Sequence, residues 1–176
     1  MKTKYSTFIV ILFLTFITSS GLAQNKKYRK YLINGSAMLV SGMLDGTVES
    51  LTWHYDQGFK RRFPKANDAY WNPNVSWKNK YKNGNSLEGP KFPGSTTAFA
   101  FATDGYHLLR TCNRAVNTLV IVDYTDGCRK SKLARKEKWK KAGKDFLIYT
   151  AIRSIGFTLT YGVLFKRDPN YHQPTN

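Results

Sequence analysis

Residues 94–122, GSTTAFAFATDGYHLLRTCNRAVNTLVIV, constrain this chain most, because they form the longest largely apolar run beyond the N-terminal leader. At about 100° per residue, His107, Arg110, Thr111, Arg114 and Thr118 gather near Asp104 on one stripe. Phe101, Gly105, Leu108, Leu109, Cys112, Val116 and Leu119 fall on the other side. The spacing predicts a helix with a wide apolar face and a narrow ionisable one. Ser95 or Thr96 would cap its start by accepting from an unpaired amide of the first turn. Strand is the competing reading, since Phe99 and Phe101 alternate with alanines and 118–124 is rich in β-branched residues. The length of the periodic pattern favours helix.

The chain opens MKTKYST, FIVILFLTFIT, SSGLAQ. A basic start, a short apolar run and a small-residue site ending at Ala23 make residues 1–23 a secretory signal peptide of bacterial style. The apolar run is too short to favour a retained anchor. There is no lipobox cysteine, which excludes a lipoprotein. Residues 24–176 then read as a single helical envelope domain with enough chain for a real core. Lys2 and Lys4 leave with the leader, so 26 basic residues face 11 acidic ones, a net +15. An exported protein this basic is expected to meet anionic lipid headgroups, an envelope polymer or a membrane protein partner, and no nucleic acid.

Asn34 begins the first expected helix, which runs to Phe59 with Met38, Leu39, Met43, Leu44, Val48 and Leu51 as its apolar contacts. Pro64 then stops it. Asp45 and Glu49 are four apart and share a face. Gly35-Ser36 with Asp45-Gly46 echoes Gly94-Ser95 with Asp104-Gly105, at an offset of 59. The echo suggests two capped helices that approach at Gly46 and Gly105 and bring Asp45 and Asp104 together. Residues 64–93 form a long aromatic-rich loop, expected to be ordered because Tyr70, Trp71, Trp77 and Tyr81 need burial or a ligand.

Residues 129–144 are a basic connector with nine Lys or Arg, one acid and Trp139. They suit a solvated connector or amphipathic helix, or a membrane-surface anchor with lysines facing phosphates. Residues 146–165, FLIYTAIRSIGFTLTYGVLF, carry the single charge Arg153 and are long enough to span a bilayer as a helix. If 94–122 and 146–165 both cross, the positive-inside rule puts the connector in the cytoplasm and the aromatic loop in the periplasm. Cys112 and Cys128 travel an oxidising route, where a bridge is open to them, although a continuous helix would hold them apart.

The chemical candidates are few. Asp45, Glu49, Asp104 and His107, with Arg110, Arg114 and Arg153, form either an ion-paired polar seam or a ligand site. Asp104-x-x-His107 is half of a bundle metal motif, but the second half is missing and arginines flank it, so no metal or cofactor is expected. Lys91, Gly94, Ser95 and Thr96 offer an anion site at a helix start. The run KFPGSTTAFAFAT is superficially similar to the helix start of membrane phosphatidic-acid-type phosphatases. It lacks their histidine, and no second motif follows, so that family is excluded. Gly-x-Ser-x-Gly, P-loop and His-Glu-x-x-His patterns are absent, and no catalytic residue is assigned.

The segments WNPNVSWKNKYKNG, GPKFPGSTT, TDGYH and DGTVESLTWHY resemble small exported proteins of Bacteroidota, a group of uncharacterised sequences. The resemblance implies an envelope setting in the inner membrane or periplasm, and it brings no activity with it. The expected architecture is mainly α, a small helical bundle with a long aromatic-rich loop and two segments able to span a membrane. A β-rich fold is the alternative. The expected role is non-enzymatic, structural or interactive. The alternative is an enzyme or binding protein acting on an anionic envelope or lipid component at the seam.

Overall fold

A computed structural model of the chain describes residues 26–171; the expected leader, residues 1–23, lies outside that range. The chain divides into two units, Met1–Ser36 and Ala37–Asn176, and every side-chain contact described below lies in the second. The fold is mainly α-helical. Among the described residues the only β pairing is an isolated bridge between Tyr81 and Pro90, so the β-rich alternative falls.

Three long helices make the body: α1 (Lys26–Trp53), α4 (Gly105–Lys130) and α5 (Arg135–Phe157). After α1, a wider turn of π-helix, Tyr55–Lys60, carries the chain towards the stop at Pro64. A similar π segment, Thr158–Leu164, extends α5. The loop that follows α1 is ordered, as expected, by short helical turns: α2 (Asp68–Trp71), α3 (Pro73–Ser76) and 3-10 turns beyond them. Asn67, Asn72 and Asn85 each accept from the amide two residues on, which sets these turns from within. Asp68 pins the loop to the body, accepting from the Tyr55 hydroxyl and from Lys60 Nζ at 2.6 Å each. Burial pushes the Asp68 carboxyl up, but these two donors outweigh it and hold the carboxyl below its usual range.

Two expectations are corrected here. Residues 94–103 are turns and a 3-10 segment (Ala100–Ala102), so the apolar run is no continuous helix. Neither Ser95 nor Thr96 caps a helix: the Ser95 hydroxyl donates to Lys80 O (2.7 Å), and Gly94 takes φ +82° in a turn. The cap of α4 is Asp104 itself, in extended backbone, its carboxylate accepting from the His107 amide. Alternating Phe and Ala with threonines is poor helix material, whereas Thr-Asp-Gly is a good start signal. α4 runs to Lys130, four residues turn, and α5 begins at Arg135, so the basic stretch is the tip of a helical hairpin. Cys112 and Cys128 are free, and their sixteen-residue separation along α4 sets them about 24 Å apart.

The echo of two helix starts also fails. Ser36 lies inside α1. Gly46 meets α5 at Phe157 and Thr160, while Gly105 meets the ring of Trp71. Residue numbers rise together across the α1–α5 contact, from Gly42 against Arg153 to Gly58 against Phe165. They run oppositely between α1 and α4, where Ser41 reaches Asn117 and Asp45 reaches Asn113. α1 is therefore parallel to α5 and antiparallel to α4.

The main apolar cluster lies at the loop end of this bundle, where Leu51, Tyr55, Phe59 and Phe165 pack with Trp71, Tyr106 and Leu109; Val48 and Val120 are buried outside that cluster. Further along, the interior is mostly small and polar: Ser41, Gly42, Gly46, Ser50, Asn113, Gly156 and Thr160 are all buried. The large apolar side chains of the same region point outward. Leu119 is 68% exposed, Phe146 68% and Leu147 69%, and Ile121, Val122, Ile155 and Val163 are exposed as well.

Candidate functional site: a polar seam between the helices

The inward face of α5 reads Asp145, Tyr149, Arg153, Gly156, Thr160, a step of three or four residues each time. Glycine at 156 lets α1 come so close that a Cβ there would lie 2.2 Å from Leu39 O. Thr160 donates to Met43 O (3.1 Å) across the same contact. These close approaches set α5 against α1, and the polar groups between them define the seam.

Its centre is the Asp45–Arg153 ion pair, Arg153 Nη2 donating to Asp45 Oδ2 at 2.7 Å. Asn113 Nδ2 donates to the other carboxylate oxygen (3.2 Å). The Ser41 hydroxyl donates to Asn113 Oδ1 (2.7 Å), and Asn117 Nδ2 donates to the same oxygen (3.1 Å). Five residues from three helices thus share one connected network. Towards the hairpin, the buried Asp145 accepts from the Tyr124 hydroxyl (3.1 Å) and pairs with Lys141. Towards the loop end, His54 Nε2 donates to Phe165 O at 3.0 Å, which makes the neutral ring's Nδ1 an acceptor.

The expected constellation splits under this geometry. Asp45 and Arg153 do meet. Glu49 does not join them; it accepts from the Trp53 indole (2.7 Å) in an exposed contact. Arg110 stacks over Tyr106 and donates to its hydroxyl (2.6 Å), with no carboxylate partner among the described residues, and Arg114 is exposed. Asp104 and His107 pair with each other, Nδ1 donating at 2.8 Å, nine helical residues or about 14 Å along α4 from Asn113. Asp104 is 1% exposed. Burial alone would raise its carboxyl, but the His107 ring and amide, with Thr103, outweigh that and hold it below the usual range. The sequence grouping of Asp45, Glu49, Asp104 and His107 at one seam is thereby overturned. The Lys91–Thr96 anion site is overturned too, since no helix starts there. Among the described residues, no group of three or more His, Cys, Asp or Glu is placed to hold a metal ion.

The local cap carries a prediction. Replacing Asp104 with Ala removes the acceptor of the first-turn amide and should lower stability by about 1–2 kcal/mol, while Asp104→Asn, which still caps, should cost less. Because the folded carboxyl titrates lower than the unfolded one, its contribution is complete above about pH 3.8 and is lost as pH falls through the folded value. Urea unfolding at pH 7 and at pH 3 measures both. Equal stability of wild type and Asp104→Ala at pH 7 would remove the capping role.

Residues missed in the sequence are mostly uncharged: Ser41, Asn113, Asn117 and Thr160, together with Asp145 and His54. The small-and-polar period on α5 was their one legible signal. Comparison with protein-family models, with curated proteins and with solved structures finds no match for the chain.

Proposed function

We propose that this is a membrane-embedded protein of the bacterial envelope with a structural or interaction role, its polar seam holding the helices together inside lipid. The observation that carries this is the reversed polarity of the bundle. Serine, asparagine, glycine and an ion pair lie inside, while Leu119, Phe146, Leu147 and Ile155 lie outside. Water would drive those apolar side chains in. In lipid they cost nothing outside, and helices associate through small residues and buried hydrogen bonds. Among the described residues one helix, Arg135–Leu164, is long and apolar enough to cross a membrane, and only 11% of its most apolar window is buried. The lysines of the hairpin tip and the exposed Trp139 suit contact with anionic headgroups. An apolar outer face also accepts a helix of another membrane protein.

The direction of α1 bears on orientation. Since α1 is parallel to α5, the chain enters Ala37 from the end that holds the basic hairpin. Removal of the leader at Ala23 on the exported side would leave that end outside with it. A leader retained as a crossing anchor, its basic start held inside, would leave that end outside as well, against the preference of the basic hairpin for the cytoplasm. A leader that crosses and a cytoplasmic hairpin therefore exclude each other if α1 also crosses. Protease accessibility of the hairpin from the outer side of sealed inner-membrane preparations separates the two orientations, and both are compatible with embedding.

Embedding itself is tested by an alkaline wash of membranes from cells expressing the full-length chain. The protein should stay in the pellet. Release into the supernatant would mean that charge alone held it to the surface, and the embedded reading would fall.

A further inference from the structure

The polar seam does not account for the loop end of the bundle, where two open clefts of about 560 and 540 Å³ share the wall Trp53, His54 and Arg167. Tyr161 and Lys166 complete the first, and Asp56 is the acid on the second. We propose that this wall, with Lys166 and Arg167 as its cations, is a binding site for a phosphate-class oxyanion.

The positive charge here exceeds what the fold uses. The last carbonyls of the α5 extension attract cations, and that demand is met by the neighbouring turn. Arg61 Nη2 donates to Lys166 O and Arg62 Nε to Leu164 O, both at 3.0 Å. Asp168 faces Arg61 at 4.0 Å. Asp56 is the remaining acid at the clefts, because Glu49 is held by Trp53. Lys166 and Arg167 are left over. Arg167 is also prepared: its Nε donates to Gln57 Oε1 at 2.6 Å. That bond fixes the guanidinium plane and leaves the two terminal nitrogens, which make no other hydrogen bond among the described residues, as a fork for two oxygens.

The aromatic members are rigid as well. Tyr161 stacks on Phe157 (5.2 Å between ring centres) and meets the His54 ring edge-on (4.8 Å). Trp53 is 72% exposed beside them. Trp and Tyr next to Lys-Arg, immediately past the last residue of the apolar helix, is the arrangement found at headgroup depth. A phospholipid headgroup and a soluble phosphate ester present the same oxygens to such a fork, so the chemistry is shared and the source is a matter for experiment.

His54 supplies a local reporter. Burial lowers its titration point, the Phe165 carbonyl opposes that, and the Arg167 charge adds to the lowering. An anion on Arg167 offsets the last effect. The chain has three histidines, so their imidazole resonances can be told apart by substitution.

The full-length protein in a non-ionic detergent is titrated with inorganic phosphate and, separately, with short-chain phosphatidylglycerol while the His54 resonance is followed. We expect a saturable shift at His54 and none at His107. Arg167→Gln and Lys166→Gln should each weaken binding about tenfold or more, the size of one hydrogen bond to a charged group. Lys138→Gln with Lys140→Gln, at the opposite end, should leave it unchanged. Saturation by phosphate assigns the site to the phosphate group itself; saturation by the lipid alone assigns it to a headgroup. Lys166 makes no hydrogen bond through its side chain among the described residues, so Lys166→Gln keeps the test valid if Arg167→Gln fails to fold. No saturation with either probe, or binding indifferent to both substitutions, overturns the proposal. That result would leave the alkaline-wash outcome untouched.

Discussion

Gly156→Leu should abolish accumulation of the folded protein, and Gly156→Ala should already destabilise it severely. A Cβ at 156 would stand 2.2 Å from Leu39 O and 3.1 Å from Met43 N. These are main-chain atoms of α1, and they cannot rotate away as a side chain would. The reciprocal contact is as close, with a Cβ at Gly42 2.0 Å from Arg153 O. Relief requires the helices to separate, which would stretch the Thr160–Met43 hydrogen bond and the Asp45–Arg153 pair together. Ordinary overpacking costs about 1–3 kcal/mol. Here the alanine should exceed that range, and leucine should consume most of the roughly 5–15 kcal/mol available to a domain. Gly143 is the control on the same helix, with nothing within 4 Å of its Cβ site. Gly143→Ala should be neutral or stabilising by up to about 1 kcal/mol. Denaturation in detergent compares the three. A Gly156→Ala protein as stable as wild type would mean that α1 and α5 do not cross here.

The contrast between Gly156 and Gly143 shows how far the sequence could be read. The helical class, the stop at Pro64, the ordered aromatic loop and the Asp45–Arg153 pairing were legible from periodicity and charge. The interior was not, because a helical wheel reports two faces without saying which one is buried. Leu119 and Cys112 sit on the apolar face of 94–122, and both are exposed. The inward line is the border of that face: Leu109, Asn113, Asn117, Val120. Apolar residues turn inward when the solvent is water, and the sequence does not state its solvent. Attention to ionisable groups also hid the serine, asparagine and threonine hydrogen bonds that connect the seam. The start of α4 is hidden for a different reason: apolar spacing continues through 94–103, while the Thr-Asp-Gly signal that ends the loop marks the true start. Asp104 and His107 do meet, as parts of that cap.

Arg153→Met is expected to cost about 3–5 kcal/mol in the membrane, the penalty for leaving one member of a buried pair alone. The magnitude is informative because the pair is only partly covered: the Arg153 and Asp45 side chains are 36% and 30% accessible. In water such accessibility would screen the interaction to about 1 kcal/mol or less. In lipid the accessible part gains no hydration, so the unpaired carboxylate pays nearly its full desolvation cost. Asp45→Asn in the same chain should restore most of the loss, since its amide oxygen still accepts from Asn113 Nδ2 and no lone charge remains. The resulting double-mutant cycle isolates the pair from the packing of either side chain. A loss near 3–5 kcal/mol for Arg153→Met, recovered in the double variant, is what a seam inside lipid requires. A loss under about 1 kcal/mol would place the pair in water and return the exposed faces of α4 and α5 to the search for a protein partner that covers them.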